Sequence, residues 1–240
     1  MRASIFVFYI ATLAASAVLT AQTDPDALYR ERADVAKARE AVAIWSERLA
    51  KAPRDFESAW KLARAEYWLG GHDEPSARRA DLERGVEAGR QASVLEPTRP
   101  EGYFWMAACM GQLAESFGMR QGLRYRGPIK EALEKVLQLD APYQNGSADR
   151  ALGRWYYKVP GLFGGSKKKS EEHLRKALTY NPRSIISHIF LAETLESLDR
   201  KEEAIAELKK VLDLPPDPEW LPEDTEFKQQ AKTMLQEWQR

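Results

Sequence analysis

Residues 184–216 read SIISHIFLAETLESLDRKEEAIAELKKVLDLPP, and the order of large and small side chains in that stretch describes a pair of helices. Leu191 and Ala192 give the first helix a large and small pair, with Leu195 one turn later. Ala204, Leu208 and Val211 recur at helical spacing in the second, with charge on the opposite face. Pro215 and Pro216 end it, because proline has no amide hydrogen to give a helix and its ring collides with the preceding turn. Small residues let the two helices approach, and large ones fill the space between them. The same punctuation recurs upstream. Ala52-Pro53, Glu96-Pro97, Ala141-Pro142 and Asn181-Pro182 each follow an alanine- and leucine-rich stretch, and the prolines from Pro53 to Pro216 stand 44, 45, 40 and 34 residues apart. A hairpin repeated at that period buries its apolar face only by stacking on its neighbours, which makes the chain a helical solenoid.

The register carries back through the chain. Leu62 and Ala63 follow Pro53; Tyr103, Met106, Ala107 and Met110 follow Pro97; Leu152-Gly153-x-x-Tyr156 and Ala177 fill the unit before Pro182. The periodicity predicts one long helix over 26–51, then pairs at 55–70 with 76–96, 99–117 with 128–139, 147–158 with 168–180, and 184–198 with 201–213. Residues 225–239, with Phe227, Ala231, Met234 and Leu235 at helical spacing, read as the capping helix that a solenoid needs for solubility. These registers resemble the tetratricopeptide (TPR) consensus. The expected fold is all-α, a TPR-like α-solenoid of about five helical-hairpin units with a C-terminal capping helix, forming a single domain over residues 22–240.

Residues 1–21 stand apart from that fold. After Met1 and Arg2 the chain is uncharged through Ala21 and then turns polar at Gln22-Thr23-Asp24. This reads as a secretory signal peptide cleaved near Ala21, with an uncleaved anchor over 3–21 as the alternative, since the run nears the length of a spanning helix. The expected location is therefore exported and periplasmic. Cys109 is the one cysteine, so no intramolecular disulfide exists and the core must supply the stability. Lysine plus arginine and aspartate plus glutamate are equal at 36 each, which leaves no basic excess for a nucleic-acid partner. His72, His173 and His188 lack metal-ligand spacing and no serine stands in a nucleophile elbow. No catalytic residue, metal or cofactor is expected, and the chain reads as a binding protein.

Two connections exceed what packing requires. Residues 117–128 carry Arg120, Arg124 and Arg126 ahead of Pro128, a basic lip over a pocket or a solvated loop. Residues 159–170 contain Gly161, Gly164, Gly165 and Ser166 before Lys167-Lys168-Lys169, but the phosphate-loop spacing is absent and no strand precedes it. A helix amino terminus here, beside Gly165, Ser166, Lys167 and Lys168, is a candidate anion site.

First-helix positions offset from the packing pair line the inward face of such a stack. Trp60, Arg64, Tyr67 and Trp68 come from one helix, Phe104 from the next, and Arg150, Arg154, Tyr157 and Lys158 from the third. Aromatics interleaved with arginines suit a ligand or peptide with an apolar body and a carboxylate. Any single aromatic is as readily core as pocket; the case for a groove rests on Arg64, Arg150 and Arg154, which need partners if buried.

Ser58-Ala-Trp60 through Leu69-Gly70, then Pro100-Glu-Gly-Tyr-Phe-Trp105, then Leu152-Gly153-x-x-Tyr156 through Gly164-Gly165-x-Lys167-Lys168 resemble exported bacterial TPR proteins related to the T component of TRAP transporters. The resemblance implies a periplasmic helical protein that accompanies a substrate-binding protein and holds an apolar ligand in a central pore. That family's lipobox is not matched. The Arg154-Trp155-Tyr156-Tyr157 helix and the repeat after it are also similar to eukaryotic regulators of microtubule dynamics, a role the export signal argues against. Two readings stand at this point. One is an accessory holding a small apolar or carboxylate ligand beside a periplasmic binding protein; the other is a scaffold whose groove takes a protein segment of an envelope complex.

Overall fold

The computed structural model describes residues 23–239, so the stretch 1–21, expected to be a signal peptide, lies outside the described residues. Eleven α-helices follow one another among them, with no strand. They are α1 (Pro25–Arg30), α2 (Val35–Lys51), α3 (Phe56–His72), α4 (Arg78–Leu95), α5 (Glu101–Ser116) and α6 (Met119–Leu139), then α7 (Tyr143–Lys158), α8 (Lys167–Tyr180), α9 (Ile185–Glu196), α10 (Lys201–Asp213) and α11 (Leu221–Trp238). Each packs on its successor, and α3, α5, α7 and α9 also touch the next first helix in line, which is the stacking of a TPR-like solenoid. The recurring prolines stand in the turns just before α3, α5, α7 and α9. There Asp55 and Ser184 accept from the amides of Ser58 and Ser187 and satisfy donors the helix cannot.

Two boundaries differ from the sequence expectation. The single helix over 26–51 is broken at residues 31–34. Asp34 caps a fresh start by accepting from the Ala36 amide, while the amides of Glu31 and Arg32 close α1 onto Leu28 and Tyr29. The connection 117–128 is helix from Met119 onward. Gly118, at φ 82°, makes the reversal alone, and its carbonyl accepts from Gln121 and Gly122. Pro128 therefore lies inside α6, where the Trp155 indole donates to the neighbouring Arg126 carbonyl at 2.9 Å. Arg120, Arg124 and Arg126 are thus helical and form no loop.

Beside a small cluster of Phe56, Ala59 and Ala92, the apolar interior of the described residues divides into two large ones. One cluster runs from Tyr29 on α1 to Tyr156 on α7; the other gathers Leu174, Ile185, Leu191, Leu208, Ala231 and Leu235 from α8 to α11. Between them α7 meets α8 through polar or very close contacts: His173 meets buried Asp149 at 2.7 Å and stacks on the Tyr156 ring, and Gly153 lies directly against Leu174.

The chain's ends meet. Arg32, 2% exposed, donates to both Glu223 oxygens at 2.9 and 2.6 Å and to the Glu219 carbonyl at 2.8 Å. Its guanidinium faces the rings of Tyr29, Trp68 and Trp220, and the Trp68 indole donates to its carbonyl. His72 adds a contact to Glu226 at 3.0 Å, and Trp220 packs on the N-terminal core. The superhelix closes on itself through these bonds.

Glycine marks the tightest helix contacts, and α5 tests this internally. A methyl at Gly102 would lie 2.4 Å from the Ser93 amide nitrogen, whereas one at Gly111 would meet nothing within 4 Å. Gly102→Ala is expected to cost about 1–3 kcal/mol by overpacking, and Gly111→Ala to gain up to about 1 kcal/mol of helix propensity. Urea unfolding of both variants beside the parent measures the difference in sign.

Candidate functional site

Trp60, Arg64 and Tyr67 fall on one stripe of α3, and Arg150, Arg154 and Tyr157 on the corresponding stripe of α7. All six are half-buried. Trp68 and Phe104 are not part of that face. Trp68 is buried at the end-to-end closure, stacked on His72 at 3.5 Å, and Phe104 is buried against Trp105 and Tyr143. Register explains both: Trp68 follows Tyr67 directly and turns about 100° away, into the α1–α3 junction.

The arginines behave differently from one another. Arg64 lies over the Tyr29 ring at 4.2 Å and Trp60 at 5.0 Å and reaches Asp26 at 3.5 Å, while its buried Nε has no partner. Arg154 is fully engaged. It donates to Glu115 on α5 at 3.2 and 3.1 Å and also to Glu193 on α9, and it covers Phe190 at 4.5 Å. Both acids stand 39 positions away, one repeat to either side, so the arginine ties three first helices together. Lys158, exposed, joins the same Glu115 at 3.2 Å.

Arg150 has no hydrogen bond or ion pair among the described residues. Burial pushes its guanidinium down to about 10, partly offset by Tyr67 and Asp224. Asp224 is committed elsewhere, accepting from the Asp217 amide at 2.8 Å. Tyr67, on the facing helix, is pushed up to about 12 by the same burial and lies 5.7 Å from the Trp105 ring. The Trp105 indole nitrogen is buried without a hydrogen-bond acceptor, as is one oxygen of Glu101 without a donor. Arg150 and Tyr67 are half-buried, so each keeps some contact with solvent. A guanidinium so placed keeps its charge.

The glycine-lysine loop is built for packing. Gly165 sits where a side chain would run into the Val159 carbonyl, and Ser166 caps α8 by accepting from Lys169. Lys167 turns back to donate to the Tyr157 carbonyl at 2.6 Å and lies 3.4 Å from that ring. Lys168 is exposed, so the four residues do not converge on one point.

Two clefts open elsewhere on the surface, neither lined by the groove residues. One, of about 590 Å³, includes Arg175, His188, Glu207 and Lys210; the other, of about 510 Å³, lies between α2, α3 and α4 and includes Glu66 and Arg84. Glu66 is buried, pairs with Arg84 at 2.7 Å, and is pushed up to about 7, burial outweighing the guanidinium. Cys109 is buried nearby with its thiol 3.5 Å from the Ala63 carbonyl, and burial pushes it up.

Sequence reasoning missed Tyr29, Trp105, Tyr143 and Asp224. Trp105 follows Phe104 by one position, and both rings are buried. Asp224 stands one residue before the stretch read as the capping helix.

The architecture and this inner face set the frame for comparison with known proteins. A family profile described as TRAP transporter T-component matches residues 101–240. The chain belongs to the TRAP transporter T-component family. A second profile, described as Regulator of microtubule dynamics protein 1-3, matches residues 23–169. That similarity covers the N-terminal hairpins as well as Arg154 to Tyr157, and so lies upstream of the repeat where the sequence suggested it. The Ser58 to Gly70 run falls within the second profile and outside the T-component one. Among solved structures, TTC0263, a thermophilic TPR protein in Thermus thermophilus, superposes with a TM-score of 0.66 at 21% identity, covering 88% of this chain and 97% of that one. MamA gives 0.51 at 15% identity, covering 88% and 98%; the MamA RS-1 ArsTM double mutant gives 0.53 at 19%, covering 80% and 95%. At these identities the likeness establishes the TPR fold. No curated protein matches the chain.

Two expectations follow for this T-component chain. Arg154→Ala leaves Glu193 unpaired and Glu115 with Lys158 alone in a partly buried setting and is expected to cost about 2 kcal/mol, whereas Arg150→Ala removes no bond and shifts urea unfolding by less than about 0.5 kcal/mol. Glu66, raised in the fold above its ordinary 4.5, favours the neutral form, so its ionisation costs stability as pH climbs from about 4.5 to about 7 and costs it in full above that. Glu66→Gln should therefore gain up to about 3 kcal/mol on the parent between acid and mildly alkaline buffer, read from urea midpoints across pH.

Proposed function

We propose that this T-component protein works by binding rather than catalysis, and that its closed interior holds a small molecule with an apolar body and a carboxylate. One observation carries the reading: Arg150, enclosed and charged, has no acid of its own while Arg154, one turn along the same helix, has two. A guanidinium fork matches a carboxylate, and the half-buried Tyr67, near enough to act on the Arg150 charge, supplies aromatic surface at low entropic cost. Arg64 and Tyr157 flank the same stripe. The family links the chain to transporters, and the ligand-bearing protein would serve as an accessory to a periplasmic substrate-binding protein, with residues 1–21 directing export. The Arg154 ladder favours a second reading. An inner face whose charges are already satisfied suits a scaffold that takes a protein segment and no small ligand.

Native mass spectrometry of the chain from its own host, with denaturing extraction of what it carries, separates the two. A stoichiometric small acid retained by the parent and lost from Arg150→Ala, with the unfolding midpoint unchanged, supports the receptor. A bare parent, or one holding a second protein, removes the small-molecule reading.

A further inference from the structure

Among the described residues, four of the six large apolar side chains that stand well exposed are Met119, Leu123, Leu162 and Phe163, at 82, 46, 90 and 40%. They come from two segments that the fold brings together, the first turns of α6 and the loop joining α7 to α8. The Arg126 guanidinium lies 5.3 Å from the Phe163 ring, and the Trp155 indole donates to the Arg126 carbonyl. Met119, Leu123 and Arg126 recur at four and three residues and so form one stripe on α6, opposite the buried stripe of Gln121, Tyr125 and Ile129. That outward stripe ends on Phe163.

Both segments are basic and free of acid. Residues 117–130 contain Arg120, Arg124, Arg126 and Lys130, residues 154–170 contain Arg154, Lys158, Lys167, Lys168 and Lys169, and neither contains an aspartate or glutamate. Lys130, Arg154 and Lys158 are neutralised by Glu134, Glu115 and Glu193. Arg120, Arg124, Arg126, Lys168 and Lys169 have no ion pair among the described residues. Lys130 and Lys169 stand on either side of the Tyr156 ring, at 5.9 and 5.5 Å, which joins α6 and α8 into one basic edge. In a chain of zero net charge this is a local concentration of unpaired cations around an exposed apolar ridge.

We propose that this edge docks on an anionic phospholipid surface, with Leu162, Phe163, Met119 and Leu123 entering the headgroup region and the five unpaired cations meeting the phosphates. Charge complementarity selects this occupant. An apolar protein partner would not call for five cations without acids, and a soluble polyanion would not call for four exposed apolar side chains. The contact is separate from the Arg150 interior and from any attachment through the amino-terminal segment.

The test follows the local environment of the ridge in the full-length chain. Cys109 is buried, so a cysteine introduced by Leu162→Cys is the accessible thiol among the described residues and takes a polarity-sensitive nitrobenzoxadiazole dye; Val94→Cys, 75% exposed on α4, is the control. Vesicles containing phosphatidylglycerol should shift the position-162 emission to the blue and leave position 94 unchanged, while phosphatidylcholine vesicles should shift neither. Replacing Arg120, Arg124, Lys168 and Lys169 with Glu in the labelled chain should weaken the lipid titration roughly tenfold or more, as should high salt. Attachment through another segment leaves the dye in water. The proposal is overturned if position 162 stays aqueous on anionic vesicles, if the charge-reversed chain titrates like the parent, or if soluble polyphosphate or a second copy of the chain shifts the dye where vesicles do not.

Discussion

The closed superhelix depends on one buried charge. Arg32 sits in the turn between α1 and α2, 191 positions from the glutamate it holds, and three aromatic rings exclude water around it. A guanidinium so placed is costly unless its donors are used, and here Glu223 takes two and the Glu219 and Tyr29 carbonyls take others. An open solenoid would leave Arg32 only the Tyr29 carbonyl and take Trp220 off the N-terminal core. The break between α1 and α2 has its reason in this contact. A continuous helix over 26–51 would carry the guanidinium on a helical face, whereas the Asp34 cap allows the turn that aims it at α11.

With the ends joined, the inward faces of α3, α5 and α7 look at one another and at α11, and the polar groups there divide into satisfied and unsatisfied. The satisfied set follows the repeat: Glu115, Arg154 and Glu193 occupy the same register in successive first helices and cancel as a ladder. The unsatisfied set breaks the repeat. Arg150 has no equivalent acid on α5 or α9, and the acid that α11 brings near it is already engaged by its own loop. A paired arginine and an unpaired one are thereby distinguished on the same helix, four residues apart, by their partners rather than by their burial.

Much of this was legible in the sequence wherever it rests on local rules. Prolines ending hairpins, large and small pairs at helical spacing, and a terminal amphipathic stretch placed the second-helix and capping positions, and 201–213 matches the observed α10 residue for residue. The ladder was legible in principle as a charge pattern of period 39, which a search for apolar periodicity passes over. Two kinds of feature were beyond local reading. Gly118 substitutes for an entire loop by adopting a positive φ, so Pro128 read as a helix start although it lies inside α6. The closure, with Arg32, Glu223 and Asp224, exists only because the curvature accumulated over eleven helices brings the termini together, and no window of the chain contains it.

The division of the core gives that closure a further consequence. The N-terminal and C-terminal apolar clusters meet across α7 and α8 through Asp149, which takes His173 at 2.7 Å and Lys176 at 3.1 Å. Directional bonds of this kind fix an orientation but bring little of the cohesion that continuous apolar packing gives. Gly153 compensates by letting the α7 backbone lie directly on Leu174. The joint, the Arg154–Glu193 pair and the Arg32–Glu223 contact then hold the halves together, the first two in the middle of the described solenoid and the third at its ends. Both halves come close at Arg150, where Asp224 of α11 lies near enough to act on the guanidinium charge.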